Sequence, residues 1–431
     1  MRYTPINQAL FVSNRNRLVK KLKPGSVAVF NANDIMPTNA DGTMKFRQNN
    51  DLFYLTGVDQ EETILVICPD HPDKKLREVL FLRETNEHIS TWEGHKLTKD
   101  EARAVTGIQT ILWTSDFFRT FNTMMVMAGV EYVYLNTNEH YRAEIAVETR
   151  DARFIIWCKE KYPLHKYERL APIMAGLRAI KSKHEIELMQ KACNITERAF
   201  RRVLKFVRPG VKEYEIEAEF VHEFIRNGSR GFAYEPIIAS GADSCVLHYI
   251  SNDKETKRGE VLLLDVGAEY ANYNADMTRT IPVSGRFTKR QKDVYNAVLR
   301  VMRAACKLLR PGMVYFDYHK EVQEVMEAEL LRLKLIDRTD VKKKTPDKPA
   351  FMKYFMHGTG HHLGLDVHDT GNMYHKMKEG MVWTVEPGIY IREEGFGIRL
   401  ENNVVITRTG VNDLMKSIPI EAEEIEELMN S

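Results

Sequence analysis

Two hydrophobic rhythms divide the chain. Up to Lys159, short apolar runs (SVAVFNAN, ETILVICPD, EVLFLRE and VEYVYLNT) are rich in Val, Ile, Leu, Phe and Tyr and end in turn residues, so they read as strands. Helical stretches such as the one from Ser115 to Ala128 lie between them. This alternation predicts an α/β domain on a mostly parallel or mixed sheet. From Glu185 the rhythm becomes helical: Ile186, Met189, Cys193, Phe200 and Leu204 fall on one face. That helix stops at Arg208-Pro209-Gly210, and a second runs from Glu213 to Asn227, closed by Gly228. The arrangement then recurs. Thr288 and Gln291 form a capping box, the helix they open stops at Arg310-Pro311-Gly312, and another follows from Phe316 to Leu333. Each helix pair precedes a β-rich segment, which predicts an internal two-fold duplication. The charged stretch Lys159 to Lys183 reads as a junction. KKKTPDK (342–348) reads as a solvated loop, and Glu421 to Glu427 as the acidic face of a terminal helix.

A length of 431 residues accommodates two or three domains with their own cores. Hydrophobic content of 43% and charged content of 28% are those of an ordinary globular protein, and a net charge of +2 gives no electrostatic reason to expect a nucleic-acid partner. Cys68, Cys158, Cys193, Cys245 and Cys306 are scattered and never form a CxxC pair, which argues against a disulfide framework or a thiolate zinc site and fits a reducing cytoplasm. The first residues lack the apolar core of a signal peptide, and no apolar run is long enough for a membrane span. The glycosylation-like triplets at Asn194 and Asn227 are then chance matches.

Five residues change this picture. Asp265 follows four aliphatic residues in VLLLDVGAEY, Asp276 lies in ADMTRT, His361 in HGTGHHLG, Glu386 in MVWTVEPGIY and Glu401 in GIRLENNVVIT. Unpaired charges in such apolar or Gly-rich surroundings are costly, so carboxylates there are paired, protonated or bound to metal. Two divalent cations would balance four carboxylates. A hairpin turn centred between Tyr270 and Ala271 would oppose Asp265 and Asp276, and one between Glu393 and Glu394 would oppose Glu386 and Glu401. Opposed residues hold their Cβ atoms about 4.5–5.5 Å apart, which suits a metal pair about 3.5–4 Å apart. HGTGHHLGLDVHD adds His357, His362 and His368, with glycines that allow close backbone approach. His184-Glu185 is not a thermolysin-type zinc motif, because Leu188 stands where the second His belongs.

The stretches RAIKSKHEIELM, SGADSCVLHYISND, VLLLDVGAEYANYNADMTRT, HGTGHHLGLDVHD, VWTVEPGIY and GIRLENNVVIT resemble the pita-bread (M24) metallopeptidases, within them the Xaa-Pro aminopeptidase and prolidase branch. FRQNNDLFYLTG and TWEG resemble that branch's N-terminal domain, in which Arg47, Asp51, Tyr54 and Gly57 read as fold-maintaining. The resemblance implies a two-domain α/β architecture. An N-terminal α/β domain with a mixed sheet (1–175) would precede a pita-bread (α+β, pseudo-two-fold) catalytic domain (176–431). It also implies metal ligation by Asp265, Asp276, His361, Glu386 and Glu401, with Asp276 and Glu401 bridging. His248, His357, His368, Glu386 and Arg399 would be catalytic or substrate-contacting, with Tyr234 lining the pocket. His362 is left out of the ligand set. Gly241-Ala242-Asp243 and His362 depart from the family's usual residues in ways that would tune the pocket.

The implied chemistry is hydrolysis of the N-terminal Xaa-Pro bond by a hydroxide shared between two divalent cations, manganese first, with zinc, cobalt or iron also compatible with oxygen-rich ligation. Glu386 is the candidate proton shuttle. The implied partners are peptides with proline second and, through the N-terminal domain, further copies of the chain in a dimer or tetramer. No membrane or nucleic acid is implied. The rival readings are a prolidase restricted to dipeptides, a methionine aminopeptidase (which would not explain the N-terminal domain), and an inactive or metal-free pita-bread protein, which would lack part of the ligand set.

Overall fold

The computed structural model describes residues 2–343, 345 and 349–431. They form two compact units, one of Thr4–Arg178 and one of Ala179–Ser431 together with the chain start through Tyr3.

The first unit is built on one sheet of six strands: β1 (Ser26–Asn31), β2 (Ile64–Ile67), β3 (Glu78–Leu82), β4 (Thr110–Trp113), β5 (Tyr132–Leu135) and β6 (Lys166–Arg169), in the order β4-β3-β2-β1-β5-β6. The pairs β1–β2 and β2–β3 are antiparallel and the others parallel, so the sheet is mixed, as the strand and helix alternation predicts. Val27, Val29, Val66, Val79, Phe81 and Val133 pack against Phe117, Phe121 and Met124 of the helix Phe117–Met127. Of the residues read as fold-maintaining, Asp51 and Gly57 make contacts that tie this unit together, whereas Arg47 is exposed. Asp51 accepts from Arg178 (2.8 Å) and Asn136 (2.9 Å), and Gly57 closes its helix at φ 70° over the Phe11 ring. The supposed junction is different: Lys159 to Lys183 contains β6 and the helix Ala171–Ala179. β6 has the sequence KYER and exposes most of itself as an edge strand, so it carries no apolar signal.

In the second unit each half opens with two packed helices, Lys183–Phe206 with Glu213–Arg226 and Lys289–Leu308 with Tyr315–Arg332. Both long helices begin with a capping box, Ser182 with Glu185 and Thr288 with Gln291. On the first, Met189, Cys193, Phe200 and Leu204 are buried as the spacing requires, while Ile186 is half-exposed and Glu185 is buried at 1%. The Arg-Pro-Gly stops share a hydrogen-bond pattern. Gly210 (φ 94°) donates to the Thr256 carbonyl, whose residue donates back to Val211; Gly312 (φ 91°) donates to Met377, which donates back to Met313. The repeat therefore extends to how the helices are tied to the β segments.

Ten strands follow from these helices: β7 (Ile237–Ser240), β8 (Val261–Val266), β9 (Glu269–Tyr270), β10 (Tyr273–Asn274), β11 (Met277–Pro282), β12 (Val382–Val385), β13 (Gly388–Ile391), β14 (Phe396–Arg399), β15 (Asn402–Ile406) and β16 (Val411–Asp413). One sheet runs β11-β8-β7 and another β12-β15-β16, with the ribbons β9–β10 and β13–β14 extending the two hairpins. The acidic helix Ala422–Met429 is tied down, since Glu423 and Glu426 pair with Lys292 and Glu421 with Arg303. Of the tract 342–348, Lys342 and Lys343 end the helix Arg338–Lys343, and the expected loop at 344 and 346–348 falls outside the described residues.

Candidate metal centre

The second hairpin has the register expected for it. Val385 faces Asn402 and Gly388 faces Arg399, so Glu386 and Glu401 oppose each other. The first does not. Asp265 faces Thr278, not Asp276, and the tip pairs Tyr270 with Tyr273. The turn is centred between Ala271 (φ 53°) and Asn272 (φ 68°), a two-residue turn with both residues in the left-handed region. By this register Asp276 faces Gly267, where a Cβ would overlap the Ala275 carbonyl oxygen. Asp265 and Asp276 still share one face of the ribbon as diagonal neighbours, within reach of long side chains.

The five candidate ligands converge. The Tyr234 hydroxyl lies 2.6 Å from both Asp265 Oδ1 and Asp276 Oδ1. His361 Nε2 is 3.5 Å from Asp276 Oδ2 and 3.5 Å from Glu386 Oε1. One oxygen or nitrogen each from Asp276, His361 and Glu401 falls within 4.8 Å of the others. His361 Nδ1 donates to the His362 carbonyl at 2.9 Å, which fixes the tautomer and leaves Nε2 free to ligate. Supporting contacts surround the set. Thr278 Oγ1 donates to Glu401 (2.7 Å), Thr384 Oγ1 donates to Glu386 (3.1 Å), and Arg399 Nη2 donates to Asp265 Oδ2 (2.6 Å).

The halves also brace each other. Asn403 grips the Asp276 peptide group from both sides, accepting from its N–H (3.0 Å) and donating to its carbonyl (2.6 Å). In return the Glu401 N–H donates to the Thr278 carbonyl (3.0 Å).

The electrostatics test whether this set suits cations. Burial, with the charges of Asp276, Glu386 and Asp265, holds the Glu401 carboxyl well above its ordinary range. Burial pushes Glu386 up to about 7 against the opposing pull of His361, and it raises Asp265 despite Arg399. Asp276 is the exception: against the effect of burial, His361 and Tyr234 keep it low. His361 is raised to about 9, because Asp276 and Glu386 outweigh burial. Carboxyls that cannot all ionise together, with a correctly oriented imidazole, form a donor set that fits divalent cations, which would displace the retained protons.

Around it stand the other candidates. Burial, reinforced by the Arg399 charge and by His319 and His248, lowers His357 to about 3, so it is neutral. Its Nδ1 donates to the Gly358 carbonyl (2.8 Å), which makes Nε2 the acceptor for the Tyr390 hydroxyl (2.8 Å). The exposed His368 sets its ring against His361, with centroids 4.4 Å apart. His248 is exposed in the loop after the short turn Gly241–Cys245. Buried Arg399 reaches Asp265, Thr278 and Tyr390. His362 turns away from the ligands and packs on Trp383 at 4.0 Å. Sequence reading underweighted Tyr234 and missed Tyr390, Thr278, Thr384 and Asn403. Threonine and asparagine two residues from a carboxylate are too common in strands to signal a site.

Comparison with known proteins agrees with this architecture. Residues 187–408 match the model of metallopeptidase family M24, and residues 11–134 match the aminopeptidase P N-terminal domain. A Xaa-Pro aminopeptidase of Escherichia coli is 34% identical over 98% of this chain and 98% of its own length. A putative aminopeptidase P from Bacillus anthracis superposes with a TM-score of 0.91 at 31% identity, covering 99% of each chain. A zinc-substituted aminopeptidase P of Escherichia coli in complex with product superposes at 0.87 and 33% identity, again over 99% of each chain. The duplicated half-domain, the converging acid and imidazole groups and this full-length similarity lead to one conclusion: the chain belongs to the aminopeptidase P and prolidase branch of the M24 metallopeptidases.

Proposed function

We propose that the chain is a metal-dependent Xaa-Pro aminopeptidase that removes the first residue of peptides with proline second. The observation that carries the reading is the convergence of Asp265, Asp276, His361, Glu386 and Glu401 inside a chain similar over its whole length to proteins of that name. Asp276 and Glu401, one from each half, would be the ligands shared by two cations. Asp265 would complete one coordination sphere, and His361 with Glu386 the other. Bound there, the cations supply Lewis-acid activation of water and of the scissile carbonyl. Manganese is the metal we assign, because four carboxylates and one imidazole favour a hard or borderline ion.

The chain's own groups do the rest. Glu386 takes the proton from water and passes it to the leaving proline nitrogen, a role suited to a carboxyl held beside His361 and Thr384. His368 faces the developing oxyanion, the neutral His357 ring held by Gly358 and Tyr390 contacts the peptide, and His248 lines the peptide's path. Arg399 donates to Asp265 and so orients its carboxyl for ligation. Residues 1–175 are assigned as the N-terminal domain and 176–431 as the catalytic domain, in a cytoplasmic homo-oligomer. No helix among the described residues is long and apolar enough to cross a membrane.

The test is turnover of an Xaa-Pro dipeptide and an Xaa-Pro-Xaa tripeptide by the protein loaded with manganese, zinc or cobalt. Tripeptide cleavage strongest with manganese is expected. Cleavage of the dipeptide alone would make the protein a prolidase. Fewer than one bound equivalent of metal, with no activity after manganese addition, would make it an inactive relative.

A further inference from the structure

Outside the metal centre, one fully buried carboxylate receives more hydrogen bonds than its helix requires. Glu213 is 0% exposed and stands at the first position of the helix Glu213–Arg226. Its Oε1 accepts from the Ser240 N–H (2.9 Å) and the Ser240 hydroxyl (2.7 Å), and its Oε2 from the Tyr249 hydroxyl (2.8 Å) and the Lys254 N–H (3.0 Å). Four neutral donors repay the desolvation of a carboxylate that burial would otherwise penalise. They come from the two ends and the middle of one loop, which leaves β7 at Ser240, passes Tyr249 and returns by Lys254.

The same loop is fixed elsewhere. Asn252 (φ 46°) accepts from Ile238 N–H and donates to the Pro236 carbonyl, and Ser244 accepts from Gly397 N–H of β14 at 2.7 Å. Between these ties the side chains alternate. Cys245 and Tyr249 are buried at 5% and 8% in a cluster with Tyr390, while Val246, His248 and Ile250 point outward. Leu247 and His248 form a turn immediately before Tyr249, so the seat of Tyr249 fixes where that turn stands. Tyr249, seated by its hydroxyl on Glu213, sends His248 to the open side. Tyr390, in the same cluster, is the residue whose hydroxyl bonds His357 and Arg399.

We propose that Glu213 is a positioning residue, whose buried carboxylate anchors both ends of the 240–254 loop and so aims His248 at the peptide being cleaved. This rests on the reading of His248 as a group lining the peptide's path. Glu213→Gln keeps the shape, but its amide turns donors towards Tyr249 and Lys254 and leaves the Lys254 N–H without its acceptor. Tyr249→Phe keeps the ring and removes one tie.

The experiment is a double-mutant cycle with manganese-loaded protein on an Xaa-Pro-Xaa tripeptide, comparing each variant in the wild-type and His248→Ala backgrounds. Glu213→Gln is expected to lower kcat/KM about 10–100-fold with unchanged metal content, as loss of an orienting partner does. Tyr249→Phe is expected to lower it about fivefold, the equivalent of one hydrogen bond. In the His248→Ala background neither should cost more than about twofold. In metal-free protein, the His248 ring resonance should move towards a solvent-averaged position in both variants. If Glu213→Gln does not fold, Tyr249→Phe carries the cycle. Equal losses in both backgrounds, or no loss in the wild-type background, would overturn the positioning role alone. Wild-type turnover by His248→Ala would instead remove the reading of His248, and the proposal with it.

Discussion

In the first hairpin Asp276 faces Gly267, and its acidic companion Asp265 stands two residues along, opposite Thr278. In the second, Glu401 faces Glu386 directly, and the position equivalent to Asp265 is Thr384, opposite Asn403. The halves repeat helix, stop, helix and ladder, yet place their outer carboxylates at different levels. The reason is steric. At the level of Asp276 the backbones approach so closely that a Cβ on Gly267 would overlap the Ala275 carbonyl oxygen, so no ligand can stand there. A duplicated scaffold thus keeps its two central acids, Asp276 and Glu401, in equivalent places and varies only the residues around them. As a result Asp265 has Arg399 and Tyr234 as neighbours, whereas Glu386 has His361 and Thr384.

The equivalence of the central acids is the easiest part to break. Asp276→Ala and Glu401→Ala should each lower tripeptide turnover by roughly a thousandfold or more, because each removes charge stabilisation worth several kcal/mol. Near-normal turnover by either, with full metal content, would show that the two acids are not equivalent.

The steric difference predicts opposite behaviour at the facing positions. Gly267→Ala should destabilise the second unit by about 3 kcal/mol, the upper end of overpacking costs, seen as a lower urea midpoint. Glu386→Ala should leave that midpoint within about 0.5 kcal/mol of wild type in metal-free protein while abolishing turnover. A folded, fully stable Gly267→Ala would refute the close-approach explanation.

Supporting contacts should matter less than ligands. Thr278→Val removes the hydroxyl that donates to Glu401 and receives Arg399 Nε, and should weaken metal affinity about 10–100-fold by calorimetry. The smallest effect is expected at Gly395, which ends the second hairpin's turn at φ 71° with open space where a Cβ would point. Gly395→Ala should cost about 1 kcal/mol from the left-handed backbone alone and leave kcat unchanged.

How much of this was readable in the sequence differs between the same two hairpins. REEGFG, polar and ending its turn at Gly395, signals its own centre, and the register deduced from it is correct. YANYN has no glycine or proline, and Ala271 at φ 53° is not a residue that announces a left-handed turn. The only cue was Asn272, and a one-residue error in the centre displaced the partner of Asp265 by two. The long helices were legible because apolar spacing and capping boxes are local signals, and Met189, Cys193 and Thr288 behave accordingly. β6 was not, because KYER is held by pairing with β5 and not by burial. The five candidate acid and imidazole ligands stood out for being charged in apolar frames. Tyr234, Tyr390 and Glu213 did not, because their significance lies in what they touch across distant parts of the chain.

The cross-brace between the halves has a dynamic consequence. The amide proton of Asp276 is held by Asn403, and that of Glu401 by the Thr278 carbonyl. Neither can reach solvent while the other half stays in place. The two protons should therefore exchange with deuterium at matching rates, in a single opening event that parts the halves, and more slowly still when divalent cations are added.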